Sequence, residues 1–362
     1  MATASTHTQQ NKITTMAKKS NNLKSEKARD YVAKFPNTPK AALARKLYKD
    51  NKGLYGTEED ARFAIRYVTG ASGAKMRKSV PKEDHAPNDA RRRYNLPAQK
   101  HNDNKTNVIP GIRVGQRMGL LSDIHLPYQS NEALTLALDF LKTRDINILY
   151  LNGDVLDAYE ISSFERDPSK KNFAEEIKLC RAFLETLVKE FPGVQIYYKE
   201  GNHEARLTTF LRRKAPELLG FEVLDYKHLL GLGVPTIKNE PALPIIHVPS
   251  KVITQFGKIL VIHGHEFAKG FVAPVNPARG FFMKGKSNVI GGHHHQDSSH
   301  SENTLSGKQL VAYSTGHLAD PHPEYHPHNN WSHGFADITI TSNDGNFVVS
   351  RYKIIDGNVI NS

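Results

Sequence analysis

Five short blocks between residues 123 and 295 carry the side chains able to do chemistry. They read Asp123-Ile-His125, Gly153-Asp154-Val-Leu-Asp157, Gly201-Asn202-His203-Glu204, His263-Gly264-His265 and Gly292-His293-His294-His295. Together they offer carboxylate oxygens, imidazole nitrogens and one amide oxygen, with no thiolate. Such donors suit divalent first-row metal ions, and there are enough for two. Two ions side by side clamp the attacking and leaving oxygens when a phosphate ester is split by water. The expected chemistry is therefore hydrolysis at phosphorus.

Nearly every block follows an apolar run that reads as a strand. Arg117–Ser122 precedes the first block, Asn147–Asn152 the second, Gln195–Lys199 the third, Lys258–Ile262 the fourth and Ser287–Ile290 the fifth. Helical periodicity separates the early strands, over Ala133–Leu141, Phe173–Phe191 and Ala205–Arg213. Gln309–Ser314, Ala336–Thr341 and Phe347–Tyr352 alternate like further strands. In open α/β sheets, ligands collect at the carboxyl ends of the strands, where these blocks fall. Agreement between pattern and chemistry outweighs any single motif.

The front of the chain differs. Residues 1–112 hold 23 Lys and Arg against 10 Asp and Glu, whereas residues 113–362 hold 26 against 27. The basic excess thus lies wholly in the first third, and a basic segment favours polyanions such as nucleic acid. Residues 1–23 are polar and expected to be disordered. A small helical unit is expected over 24–70, with helices near Ser25–Lys34, after Thr38-Pro39 and after the capping box at Thr57–Asp60. These three could form a helix-turn-helix. Residues 71–112 lose periodicity, carry Arg91-Arg92-Arg93, and read as a basic linker. The catalytic body is expected over 113–362. One cysteine, Cys180, excludes an internal disulfide and points to a reducing compartment. No stretch is long and apolar enough to span a bilayer, and Met1–Asp30 lacks the apolar block of a secretory signal.

The order and spacing of the five blocks resemble the calcineurin-like metallophosphoesterase superfamily, over about residues 115–355. That resemblance implies a four-layer α/β/β/α sandwich, preceded here by the helical unit. It implies that Asp123, His125 and His295 hold one metal, that Asn202, His263 and His293 hold the other, and that Asp154 bridges them. It further implies that a hydroxide between the ions attacks phosphorus and that His203 protonates the leaving alkoxide. Manganese is the first expectation for both ions, with iron, zinc, cobalt or nickel as alternatives, since imidazole and carboxylate suit several. Asp157 and Glu204 are expected to orient the ligating or catalytic imidazoles. His294 should point away if its block is extended, and His265 ranks behind His263 as a ligand. Arg206, Arg279 and Lys284 lie near the blocks and are candidates to grip phosphate oxygens. The histidine-rich stretch from Gly316 to Trp331 is a long loop whose place in the chain suits the cleft rim.

The chain also looks like phosphoesterases carried by bacteriophages and prophages, some described as DNA-repair exonucleases. Leu43–Leu47 and Glu59–Tyr67 resemble their N-terminal helices. The leading expectation is a phosphodiesterase or nuclease acting on DNA through the basic front part, in the cytoplasm of a bacterial or phage-infected cell. The alternative is a phosphodiesterase or phosphatase for small nucleotides or other small phosphoesters, with the front helices structural. Ala158-Tyr159 stands where phosphoprotein phosphatases continue with Arg-Gly, which argues against a protein substrate. A DNA-binding module on an inert phosphoesterase scaffold predicts lost ligands, and none is missing.

Overall fold

The computed structural model describes residues 23–70, 106–163, 172–267, 275–323 and 327–362. The chain divides into two compact units, Met1–Asn102 and Asp103–Ser362. In the first, helices α1 (residues 23–34), α2 (Lys40–Asp50) and α3 (Glu58–Thr69) surround a core of their own. Ala28, Val32, Leu43, Leu47, Tyr55, Ala61, Ile65 and Val68 are buried in it. Spacing of three and four residues puts the helical ones on one face of each helix, and Tyr55 reaches in from the turn between α2 and α3. Thr57 caps α3 by accepting the Asp60 N–H at 3.1 Å. Of the disordered tail expected at 1–23 and the linker expected at 71–112, residues 1–22 and 71–105 lie outside the described residues, and residue 23 opens α1.

In the second unit the elements run β1 (Thr106–Val108), β2 (Arg117–Leu121), α4 (Asn131–Lys142), β3 (Ile148–Asn152), α5 (Phe173–Glu190), β4 (Gln195–Lys199), α6 (Ala205–Lys214), the one-turn α7 (Tyr226–Leu229), β5 (Ile245–Val248), β6 (Ile253–Phe256), β7 (Ile259–Val261), α8 (Pro277–Gly285), β8 (Val289–Gly291), β9 (Ser298–Asn303), β10 (Gln309–Ser314), β11 (Gly334–Ile340), β12 (Phe347–Ile355) and β13 (Asn358–Asn361). Among the described residues they make two mixed sheets. One has the order β13-β12-β11-β2-β3-β4-β5 and the other β1-β6-β7-β8-β10-β9. The parallel run β2-β3-β4-β5 is covered on both faces, which is why β3 is buried throughout.

Period-two alternation sorts the side chains into layers. Leu121, Leu149, Leu151, Ile196 and Tyr198 face Ala133, Ala137, Leu141, Cys180, Leu184 and Leu187 of α4 and α5. Their sequence neighbours Met118, Leu120, Ile148, Tyr150 and Tyr197 face Phe256, Ile259, Val261 and Ile290 of the other sheet. Ala278, Phe281 and Phe282 of α8 close the far side of that second sheet against Val289, Leu310 and Ala312. The result is the four-layer α/β/β/α sandwich that the sequence implied.

Two boundaries move. Thr106–Val108, inside the expected linker, pairs in parallel with Ile253–Gln255 and is an edge strand of the body. The helix α8, capped by Asn276 with Pro277 at its first turn, was not foreseen. Its Gly280 and its Phe281-Phe282 pair weaken the helical signal in sequence.

Candidate metal centre

Each block sits where a strand ends and the chain turns sharply. Asp123, His125, Asp154, His293 and His295 all have positive φ, between 51° and 69°. Asp and His enter this left-handed region more readily than most residues, though each such residue still costs about 1 kcal/mol or more. Gly153, at φ 85°, is required sterically as well: a Cβ there would stand 2.6 Å from His263 Nδ1 and 2.8 Å from Gly201 Cα. The turns bring the donor atoms of Asp123, His125 and His295 within 4.8 Å of one another, and likewise those of Asp154, His263 and His293. His125, Asp154 and His203 form a third such group.

Hydrogen bonds fix which ring nitrogens face inward. His263 Nδ1 lies 2.7 Å from the Asn152 carbonyl oxygen and donates to it. Its Nε2 then points at Asn202 Oδ1, 3.0 Å away, and at Asp154 Oδ2, 3.2 Å away. His125 Nδ1 donates to Asp157 Oδ1 at 3.0 Å, and its Nε2 meets His295 Nε2 at 3.3 Å. Asp123 Oδ2 is taken by Ser122 Oγ at 2.6 Å and by the His293 N–H at 2.9 Å. Its buried Oδ1 accepts no hydrogen bond of sound geometry. Lone pairs of two carboxylates, an amide and several imidazoles therefore converge on one another.

Such convergence calls for positive charge. Burial pushes the Asp123 and Asp154 carboxyls up, yet neighbouring histidines, His263 foremost, hold both below the usual range. Burial pushes His263 down, but Asp154 and Asp123 raise it to about 10. His293, without such a close carboxylate, is held by burial and by His263 at about 3. A metal ion replaces the shared proton with a charge that all the donors can face, so the residues present fit divalent ions.

The remaining candidates fall as follows. Asp157 holds both imidazoles, its Oδ1 lying 3.0 Å from His125 Nδ1 and 3.1 Å from His203 Nδ1. Among the described residues Glu204 hydrogen-bonds to no imidazole: it accepts the backbone N–H groups of Asp154, Val155, Leu156 and Gly201 and the Tyr198 hydroxyl, at 2.7–3.1 Å. Arg206 reaches the Asp157 carbonyl at 2.8 Å and His203 Nε2 at 2.9 Å. Arg279 is exposed on α8, and Lys284 Nζ lies 5.9 Å from the Phe267 ring centroid. His294 packs on Phe281 and His265 Nε2 pairs with Ser250 Oγ at 2.7 Å, away from the donor groups. His317 and Trp331, from the histidine-rich loop, wall His295, their ring centroids 4.8 and 4.2 Å from its own; residues 324–326 of that loop lie outside the described residues.

Sequence reasoning passed over Glu266 and Lys199. Glu266 accepts the His263 and Gly264 N–H groups at 3.0 and 2.7 Å, and pairs with Lys199 Nζ at 2.9 Å. A lysine closing the apolar strand Gln195–Lys199 is the signal that pointed to it.

A family model described as Calcineurin-like phosphoesterase matches residues 117–283. Among solved structures, Vacuolar Protein Sorting 29 from Cryptosporidium parvum is 15% identical, with 69% of this chain and 97% of that chain covered and a TM-score of 0.38. Yfce, a phosphoesterase from E. coli, is 15% identical, with 64% and 97% covered and a TM-score of 0.29. A dimetal phosphatase from Danio rerio is 12% identical, with 67% and 96% covered and a TM-score of 0.30. No curated protein sequence matches significantly. Among the described residues, no helix is long and apolar enough to cross a membrane.

Proposed function

Since the chain belongs to the calcineurin-like metallophosphoesterase superfamily through residues 117–283, we propose that this metal-dependent phosphoesterase is a phosphodiesterase whose substrate is DNA. Asp123, His125 and His295 would hold one ion and Asn202, His263 and His293 the other, with Asp154 placed to serve both. Bound metal ions supply charge neutralisation at phosphorus and activation of water. Manganese is the ion to try first.

The protein's own part is to position and to move a proton. His203 is half-buried, with Nδ1 fixed against Asp157. Burial lowers its pKa, but Asp154 and Asp157 raise it on balance, which suits a proton donor near neutral pH. Nε2, the nitrogen that would protonate a leaving oxygen, here accepts from Arg206. A phosphate oxygen competing for the guanidinium draws Arg206 off and leaves Nε2 able to carry the proton. Substrate arrival and readiness of the acid are thereby coupled.

The observation that carries DNA as the substrate is the confinement of the basic excess to the N-terminal third. In the first unit Lys40, Arg45, Lys49, Arg62 and Arg66 are exposed on α2 and α3, and Phe63 and Tyr67, each next to an arginine, stand 70% and 40% exposed. Exposed aromatics interleaved with cations are suited to nucleic acid. The test is Mn²⁺-dependent hydrolysis of bis-p-nitrophenyl phosphate beside labelled single- and double-stranded DNA, on the full chain and on a variant with Arg45, Lys49, Arg62 and Arg66 changed to Glu. DNA cleavage that falls at least about tenfold from 50 to 200 mM salt, and falls likewise in the variant, is expected. Hydrolysis of the small diester with DNA left intact would instead favour a small-phosphoester substrate and a structural role for the front helices.

A further inference from the structure

Lys199 ends β4 three residues before Asn202, and it is fully buried. Its ammonium uses each of its donors: the Ser250 and Val252 carbonyls at 3.0 Å each, and Glu266 Oε1 at 2.9 Å. Ser250–Val252 is the crossing from β5 in one sheet to β6 in the other. Glu266 in turn grips the backbone N–H groups of His263 and Gly264. The ion pair thus ties the strand that presents Asn202 to the turn that presents His263, and these two donors come from opposite sheets.

We propose that the Lys199–Glu266 pair is a positioning device for the Asn202/His263/His293 metal pocket, setting the distance between ligands that no single sheet can fix. The proposal rests on the two-metal reading above. A buried ion pair is weak evidence of stabilisation, because desolvation offsets much of the attraction. What it provides here is direction. The carboxylate is held by the lysine so that both of its oxygens face the His263 turn, and the imidazole is left to turn only about the bond that Asn152 already fixes. The other pocket does not share the device, since its imidazole His125 is held by Asp157.

The test is Mn²⁺ titration of metal-free full-length protein by calorimetry, with elemental analysis after desalting and activity measured against Mn²⁺. The variants are Glu266→Gln and the charge-balanced double Lys199→Met with Glu266→Gln. Either variant, folded by circular dichroism, is expected to weaken one of the two Mn²⁺ sites roughly 10–100-fold, with the other within about twofold of wild type. Activity should return in excess Mn²⁺, which a merely structural defect would not allow. Both affinities unchanged in a folded variant would overturn the proposal. A wild-type chain that takes up no second ion would sink the two-metal reading, and the proposal with it.

Discussion

Glu204→Gln isolates the grip on the Asp154 turn. The carboxylate receives five hydrogen bonds: Oε1 from the Val155 and Leu156 N–H groups and the Tyr198 hydroxyl, Oε2 from the Asp154 and Gly201 N–H groups. Burial and Asp154 push this carboxyl up, but five donors and no acceptor leave no place for a proton. Glutamine keeps one oxygen and sets an NH₂ group against the donors on the other side. With the amide nitrogen at the Oε2 position, two buried N–H groups lose their acceptor. Each costs about 1–3 kcal/mol, so the change should cost about 2–6 kcal/mol. For a unit of this size that is a fall in Tm of about 4–24 °C. Because Asp154 is clamped by its backbone and is the proposed bridge between the metal pockets, Mn²⁺ affinity at both should drop together. Thermal denaturation followed by circular dichroism, with and without Mn²⁺, reads both effects. A Tm within about 2 °C of wild type, with unchanged Mn²⁺ binding, would refute the clamp.

His203→Ala should retain both ions on elemental analysis while kcat falls about 10²–10⁴-fold, since proton donation alone is removed; loss of metal would show that His203 is a ligand. Glu176, buried on α5, accepts a weak hydrogen bond from the Tyr159 N–H at 3.4 Å through one oxygen, and among the described residues its other oxygen has no hydrogen-bond partner. Burial, with Asp157, raises its pKa to about 7 from 4.5. A raised carboxyl favours the folded state fully below its unfolded pKa and gives that stability up as pH rises through 7. After allowance for solvent screening, about 1–2 kcal/mol should be lost by pH 8.5. Glu176→Gln should remove this dependence between pH 5 and 8.5, and parallel Tm profiles for the two proteins would contradict it.

Much of this was legible because the chemistry and the periodicity coincide. The parallel strands β2, β3 and β4 are apolar runs bounded by glycine and ligand residues, so both the elements and the donors at their ends could be read from residue types alone. Strands β5, β6 and β9 were not seen: Ile245–Val248 and Ile253–Phe256 are four residues each, and Ser298–Asn303 is wholly polar, an edge strand facing solvent. Their pairing is decided by neighbours distant in the chain, which local propensity does not encode. The same limit hid Glu266. Its position three residues beyond His263 was visible, but not that its carboxylate folds back on the His263 N–H. Glu204 illustrates a subtler case, since its proximity to the site was readable while its partners, backbone amides rather than rings, depend on how sharply the chain turns at Asp154.

Those turns explain the acidic character of the whole centre. A chain that enters the left-handed region just past a strand end points successive N–H groups to one side, and buried N–H groups must find acceptors. Glu204 and Glu266 supply them, adding two carboxylates beside Asp123, Asp154 and Asp157. Against these five stand two fixed cations, Lys199 and Arg206. One divalent ion would leave the centre negative, and a phosphodiester, itself an anion, would meet repulsion. A second ion tips the balance to positive. The backbone geometry that places the proposed ligands therefore also creates a charge deficit that two ions would fill, and only the doubly loaded centre would attract a phosphodiester. On this account, activity at limiting Mn²⁺ should rise with the second ion bound rather than with the first, while diester affinity measured by competition with inorganic phosphate should strengthen over the same range; activity that saturates with one ion per chain would break the link between backbone turns, charge and catalysis.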